Sequence, residues 1–239
     1  MSIQGYLKDF TTVREELFNH KLFYDLKMAA ARREYHLKIF QSNVDIEGFD
    51  IMLDDNQKAC RFQLKTRFNS QTRVLKNIHS VMLLPKRRNA NLIRFDNGIC
   101  PTLDNGVIFI DIKYLENDIC PKVDYYYLDF YLLHSISEEF ISSKLKYKCK
   151  AQAILEELLC SKRKNKRIKV PISLFIKLKD ASSLLAICGF DSEENNTLQY
   201  FYMKIFAKEY EKYETFSNEN SVIYKNSYTK IINELTYNK

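Results

Sequence analysis

VDIEGFDIMLDDNQKACRFQLKTRF, residues 44–68, predicts two antiparallel β-strands joined by a polar turn. The predicted strands are Val44–Leu53 and Cys60–Phe68, where apolar residues recur at alternate positions. Between them, DDNQK has the composition of a turn. Side chains of paired strands meet on a common face, so the polar residues inside these strands indicate a candidate site.

Three polar residues are brought together by this pairing: Asp50, Gln63 and Lys65. Gln63 and Lys65 share a face of the second strand, and Asp50 lies within reach of both if the strands pair through the turn. Oxygen ligands suit Mg²⁺, which Asp50 would bind through its carboxylate, Gln63 through its amide and Leu64 through its backbone carbonyl. Lys65 would orient a water for attack on a phosphodiester. The hairpin therefore predicts a magnesium-assisted hydrolytic site.

A long helix is predicted over residues 12–40, ahead of the hairpin. Thr11 or Thr12 is its predicted N-cap, and Glu15 is an acidic residue of the first turn. An apolar stripe at helical spacing faces a core; it consists of Leu22, Leu26, Ala29, Ala30 and Leu37.

Glu34 falls on or beside this stripe, which makes it a further candidate for the site. A buried carboxylate needs a partner, and a metal or Lys65 would serve. The alternative is that Glu34 lies at the edge of the stripe and pairs with Arg33 or Lys38.

The rest of the chain mixes strands and helices. Residues 72–106 favour short strands around a basic loop, and Gly106–Leu115 is a nearly continuous apolar strand suited to the middle of a sheet. Val123–His134 is predicted as an aromatic-rich strand and Ser137–Leu159 as largely helical, with further helix from about residue 197. This order predicts an α/β or α+β fold with a central sheet flanked by helices.

Composition excludes several classes of protein. The 239 residues are 46% hydrophobic and 28% charged, which is typical of a globular chain. No apolar run reaches the length of a membrane span, and the N-terminus has no signal core, so we expect a cytoplasmic protein without a membrane partner. The six cysteines and four histidines have no metal-type spacing, which argues against zinc.

Positive charge is concentrated in two segments, and the net charge is +7. Lys and Arg supply most of the sequence-independent affinity for phosphates, so both segments are candidates for nucleic-acid binding. The alternative is that each is a solvated surface segment. The candidate residues are Lys86, Arg87, Arg88, Lys162, Arg163, Lys164, Lys166 and Arg167.

GFD at Gly48–Asp50, followed by a hydrophobic run, a turn and QLK at Gln63–Lys65, resembles the PD-(D/E)XK nuclease superfamily in its Gln-x-Lys variant. The resemblance covers residues 12–135 and includes the preceding helix with Glu34. It implies a restriction-endonuclease-like core, with residues 136–239 completing the domain or forming a small recognition subdomain. It also implies that Asp50 binds the metal, Gln63 assists and Lys65 acts on the attacking water.

Function follows from the resemblance as an expectation: a DNA endonuclease of restriction or defence type that depends on Mg²⁺ or Mn²⁺. One alternative is a nucleic-acid-binding or assembly module with a degenerate nuclease core, because Gln63 replaces an acid. RNA is an alternative substrate, because the sequence contains no pattern that recognises a ribose 2′-hydroxyl and so does not distinguish RNA from DNA. A homodimer also remains open, because many relatives cut two strands as dimers.

Overall fold

A computed structural model describes residues 3–42, 48–68, 75–95, 99–114, 121–160, 166–190, 197–206 and 218–237. Residues 44–47 of the predicted first strand lie outside these ranges, as do Lys162, Arg163 and Lys164 of the second basic segment.

A central mixed sheet has the strand order β1-β2-β3-β5-β6-β8, and β4 and β7 form a separate two-stranded sheet. The strands β3 and β5 are parallel, and the other neighbouring pairs are antiparallel. The strands are β1 (Lys38–Gln41), β2 (Ile51–Asp54), β3 (Ala59–Phe68), β4 (Leu75–His79), β5 (Asp104–Lys113), β6 (Lys122–Leu128), β7 (Arg167–Pro171) and β8 (Ile176–Lys177).

Helices flank the sheet, which confirms the predicted mixed α/β class. No helix in the described ranges is both long and apolar enough to cross a membrane. The α-helices are α1 (Ile3–Asp9), α2 (Thr11–Ala31), α3 (Arg87–Leu92), α4 (Phe130–Ser137), α5 (Lys148–Cys160), α6 (Ala181–Ile187), α7 (Leu198–Phe206) and α8 (Asn218–Leu235). Short 3₁₀ turns occupy Ser80–Leu83, Ser142–Tyr147 and Ile172–Leu174.

The β2–β3 hairpin forms with Ile51 opposite Phe62, but β2 begins at Ile51, so Gly48–Asp50 of the predicted first strand lie before it. In the turn, the Asp55 carboxylate accepts hydrogen bonds from the backbone N–H groups of Gln57 and Lys58 at 3.0 and 2.7 Å. Asn56 adopts φ +72°, a left-handed conformation that Asn tolerates well. The turn chemistry therefore sets the register that fixes which side chains face each other.

β5 is the buried centre of the sheet. Every residue from Asn105 to Ile112 is buried, and β5 pairs in parallel with β3 from Cys60 to Phe68. Burial on both faces explains the continuous apolar run, because a strand covered on both sides has no solvent-facing positions. The predicted central strand is confirmed.

α2 lies over one face of the sheet. Asp25 accepts a hydrogen bond of 2.6 Å from the hydroxyl of Tyr125 on β6, and Arg14 lies over the ring of Phe68 on β3. Its buried apolar stripe also packs against α6. The stripe consists of Phe18, Leu22, Leu26, Ala29 and Ala30.

The prediction that this helix continues to residue 40 is wrong. It ends at Ala31, and Glu34 adopts φ +61° in an exposed turn, a backbone conformation that a helix does not contain. Residues 38–41 are instead β1, paired with β2. Leu37 is buried, so its apolar character reflects entry into the sheet rather than a helical stripe.

Two other segments differ from their predictions because a helix begins within each of them. Asp129 ends the strand predicted over Val123–His134: its carboxylate accepts from the Leu132 N–H at 2.8 Å and begins α4. In the first basic segment, the predicted loop is the start of α3, with Lys86 at the N-cap position.

Residues after 135 contribute to both sheets. β8 pairs with β6 at the edge of the central sheet, and β7 pairs with β4. Strands from residues after 135 therefore pair with strands that come earlier in the chain.

Candidate active site

An open cleft of about 540 Å³ lies at the outer edge of β3. β2 pairs with β3 only from Ala59 to Phe62, whereas β5 follows β3 as far as Phe68. Beyond Phe62, therefore, the outer edge of β3 borders the cleft instead of another described strand. The polar residues that line the cleft are Glu15, Asn19, Gln41, Ser42, Asp50, Lys65, Thr66 and Lys76.

Asp50 is held at the point where β2 leaves β3. Its backbone N–H donates to the Phe62 carbonyl at 2.9 Å, and its own carbonyl accepts from the Ser42 N–H at 2.9 Å. Its Oδ2 accepts from the Leu64 N–H at 2.6 Å. A charge-assisted bond to a backbone N–H orients the carboxylate, so Asp50 enters the cleft in a defined position.

Two lysines contribute positive charge to the same cleft. Lys65 follows Leu64 on β3, and Lys76 extends from β4 with its Nζ donating to the Thr66 carbonyl at 2.8 Å. The two ammonium groups balance the carboxylates of Asp50 and Glu15, which line the same cleft. Asp50 and Lys65 thus line one cleft together with Leu64.

Gln63 is placed differently. It is 3% exposed, and its Oε1 accepts a hydrogen bond of 3.1 Å from the backbone N–H of His79. It is not among the described residues that line the cleft. The sequence predicts this amide oxygen as a metal ligand. In the structure its hydrogen bond to the His79 N–H connects β3 to the end of β4.

Gly48 allows this part of the structure to pack. It adopts φ +74°, and a Cβ at this position would lie 2.5 Å from Cγ of His79. Glycine is required there for both conformation and space. The glycine ahead of Asp50 in the sequence therefore serves the packing of His79 beneath the cleft.

The far wall of the cleft is formed by Glu15 and Asn19 of α2. Asn19 Oδ1 is buried and has no hydrogen-bond partner among the described residues. Glu15 and Asn19 precede Leu22 and Leu26 at spacings of four and three, so polar residues border the buried stripe where the helix passes the cleft, and Glu15 is exposed there. This change of polarity is the sequence signal that could have identified both residues.

Glu34, the helical carboxylate predicted for the site, does not line the cleft, whereas Glu15 does. Glu34 is exposed, in the turn that follows α2. The helical carboxylate of the site is thus Glu15, because α2 ends before Glu34.

Arg67 and Asp111 support the sheet beside the cleft. Arg67 donates from Nε to Oδ1 at 2.8 Å and from a terminal nitrogen to Oδ2 at 2.5 Å, a bidentate ion pair. The hydrogen bonds to Asp111, which is 1% exposed, raise the pKa of the Arg67 guanidinium. The pair fixes the position of β3 relative to β5 two residues beyond Lys65.

The two basic segments lie at different distances from the cleft. Arg167 begins the strand that pairs with β4, Lys166 precedes it and forms an ion pair with Glu157, and β4 carries Lys76 into the cleft. Lys169, which is exposed and lies opposite Asn77, extends positive charge along the same ribbon. Arg167 and Lys169 therefore lie on the exposed face of this ribbon, opposite to the face that carries Lys76.

Lys86, Arg87 and Arg88 open α3 near the start of β5. Lys86 and Arg88 line another cleft, of about 210 Å³, together with Asp104 at the beginning of that strand. Asp104 pairs with Cys60, five residues before Lys65, which separates the two clefts by roughly 16 Å along the strand. Phosphate contact by these three residues stays a prediction.

The donor set of the first cleft suits a hard cation. In the described ranges, no group of three or more His, Cys, Asp and Glu side chains could hold a metal ion. Mg²⁺, however, keeps several waters and often uses only one or two carboxylates. Glu15 and Asp50 both line this cleft, and two carboxylates fit that requirement.

Comparison of the chain with protein-family models gives no match, and comparisons with curated proteins and with solved structures give none either. The interpretation of the cleft therefore depends on its own residues.

Proposed function

We propose that the protein is a Mg²⁺-dependent nuclease that hydrolyses phosphodiester bonds in the cleft at the edge of β3. The observation that carries the proposal is that Asp50 and Lys65 line one cleft whose far wall is Glu15 and Asn19. An oriented carboxylate, a second carboxylate and an ammonium group are the side chains that metal-assisted phosphodiester hydrolysis requires.

Each residue has a distinct part in the proposed reaction. Asp50 and Glu15 would hold Mg²⁺, which supplies charge stabilisation at the phosphate when bound. Lys65 donates hydrogen bonds to the attacking water and to a phosphate oxygen, which keeps both in position. Lys76 adds a second positive charge for the phosphate, and the Leu64 N–H maintains the orientation of Asp50.

The proposed substrate is DNA, and the ribbon of β4 and β7 is a second surface for its phosphates. Arg167 and Lys169 lie on β7, next to the strand that carries Lys76. Phosphates that contact these side chains would lie over the exposed face of the ribbon, on the other side from Lys76.

The test is cleavage of supercoiled plasmid, single-stranded DNA and RNA of matched sequence in Mg²⁺, Mn²⁺ or EDTA. We expect Lys65→Ala and Asp50→Asn to lower the rate by roughly a hundredfold or more, because each removes a charge at the reacting group. Glu15→Gln should raise the Mg²⁺ concentration needed for half-maximal rate. Glu34→Gln is the matched control: it removes an exposed carboxylate outside the cleft and should behave as wild type. Equal rates for wild type and Lys65→Ala would refute the assignment.

A second candidate is a nucleic-acid-binding module without catalysis. It is favoured by Gln63, whose amide oxygen is bound to the His79 N–H instead of entering the cleft. Salt-sensitive binding of the same DNA, with no cleavage in either metal, would support this candidate. Loss of that binding in the double variant Arg167→Gln, Lys169→Gln would locate the interface on the ribbon.

A further inference from the structure

The outward side of α2 carries large apolar side chains in contact with solvent. Leu17 is 51% exposed, Tyr24 62% and Met28 39%. Their spacings of seven and four place them on one line of the helix, which we call the outer stripe. At its N-terminal end, Phe10 continues the line and is 47% exposed. Large apolar side chains aligned on one surface indicate a protein-binding face.

The outer stripe lies on the side of α2 away from the candidate active site. At about 100° per residue, Leu17 and Glu15 point in nearly opposite directions around the helix axis. Glu15 lines the cleft, whereas Leu17 faces solvent. A partner on the outer stripe would therefore leave the cleft open, and the inference below does not depend on the proposed function.

Charges beside the outer stripe identify the partner. Glu16 and Lys27 are both exposed and lie on the same flank, three turns apart. In an antiparallel pair of identical helices, each flank meets the same flank of the other helix, so Glu16 approaches Lys27 of the second copy, and the contact occurs twice. In a parallel pair each flank meets the opposite flank of the other helix, so Glu16 and Lys27 would not face each other. Lys27 also donates to the Leu37 carbonyl within its own chain, which holds its stem along the helix.

We propose that the outer stripe is a homodimer interface in which α2 packs antiparallel against α2 of a second copy. The register that aligns Glu16 with Lys27 also brings Leu17 beside Met28 of the second copy and Lys21 beside Tyr24. Lys21 Nζ already lies 5.8 Å from the Tyr24 ring within one chain, so a second ring adds a cation–π contact. The 21 residues of α2 span roughly 30 Å, which suits an interface at the small end of the specific range.

Sedimentation equilibrium from roughly 1 to 100 µM tests the dimer. We expect wild type to show twice the 28.4 kDa of one chain. Leu17→Glu and Tyr24→Glu should each raise the dissociation constant by roughly a hundredfold or more, because each dimer loses two copies of the buried side chain. Leu145→Glu is the matched control, since Leu145 is 49% exposed on a 3₁₀ turn elsewhere. Unchanged circular dichroism and thermal midpoints would show that the variants are folded. A wild-type monomer at the highest concentration overturns the proposal.

Disulfide trapping tests the direction of packing. In a Cys149→Ser, Cys160→Ser background, which removes both exposed cysteines of the described residues, Leu17→Cys and Met28→Cys are introduced together and separately. The antiparallel register places the two positions side by side, whereas two copies of either position alone lie roughly 16 Å apart along the helices. We expect a covalent dimer from the double variant only. Equal cross-linking by the two single variants, or none by the double variant, contradicts the antiparallel arrangement.

Discussion

Replacement of Gln63 by Glu separates a structural role for this residue from a role as a metal ligand. Gln63 is 3% exposed, and its oxygen accepts the His79 N–H. The variant keeps the size and the acceptor but places a carboxyl group in a buried position. Burial of this kind raises a carboxyl pKa by roughly 2 units, and each unit corresponds to about 1.4 kcal/mol. Because the folded state then binds the proton more tightly than the unfolded state, stability is kept at low pH and lost as pH rises.

We therefore expect Gln63→Glu to be about 3 kcal/mol less stable than wild type at pH 8 and close to wild type at pH 4, measured by urea unfolding without metal. Gln63→Leu is the control: it leaves the His79 N–H without an acceptor and should cost about 1–3 kcal/mol at both pH values. A Gln63→Glu protein as stable as wild type at pH 8 would contradict the buried role. So would a variant that cleaves DNA faster at low Mg²⁺, because its carboxylate would then reach the metal.

Three further substitutions test the structure around the cleft. Arg67→Met leaves Asp111 buried without its bidentate partner and should cost about 3–5 kcal/mol in urea unfolding, so a loss below about 1 kcal/mol would contradict the pairing. Burial raises the pKa of Asp129 to about 6, so the folded state holds the proton more tightly than the unfolded state. As pH rises from 5 to 8, the free energy of unfolding of wild type should therefore fall by about 1.4 kcal/mol more than that of Asp129→Asn. Equal falls in the two proteins would refute this. Gly48→Ala forces a Cβ against the His79 ring at φ +74° and should lower stability by about 1–3 kcal/mol, whereas an unchanged midpoint would mean that the ring moves aside.

The sequence predicts those parts of the fold that local chemistry determines. The β2–β3 hairpin follows from alternation and from the Asp and Asn residues of its turn, and β5 follows from its unbroken apolar run. Apolar runs alone do not separate strand from helix. In Val123–His134 the boundary is Asp129, whose carboxylate caps α4, and only the tertiary structure shows that the residues before it pair with β5.

The candidate site was predictable in its strand residues and not in its helix residue. Asp50 and Lys65 line one cleft because a short turn joins β2 to β3 and sets which residues of the two segments lie side by side. Alternation along β3 predicts Gln63 beside Lys65, but the Gln63 amide oxygen instead accepts the His79 N–H, a contact that depends on where the end of β4 packs. The sequence favours Glu34 because Leu37 prolongs an apparent helical stripe, although Leu37 is buried beside β1.

The return of the chain to β4 and β6 has a consequence for synthesis on the ribosome. β4 can pair only after β7 has been synthesised, on the order of ninety residues later. The outer edge of β6 likewise stays unpaired until β8 has been synthesised. A nascent chain that ends near residue 135 would contain the hairpin and the cleft residues but would expose strand edges that only later residues cover. Contacts so distant in sequence form slowly, since the closure of a long loop precedes any stabilisation. The cleft should therefore reach its final geometry only after nearly the whole chain has been released, and half-length fragments should aggregate rather than bind nucleic acid.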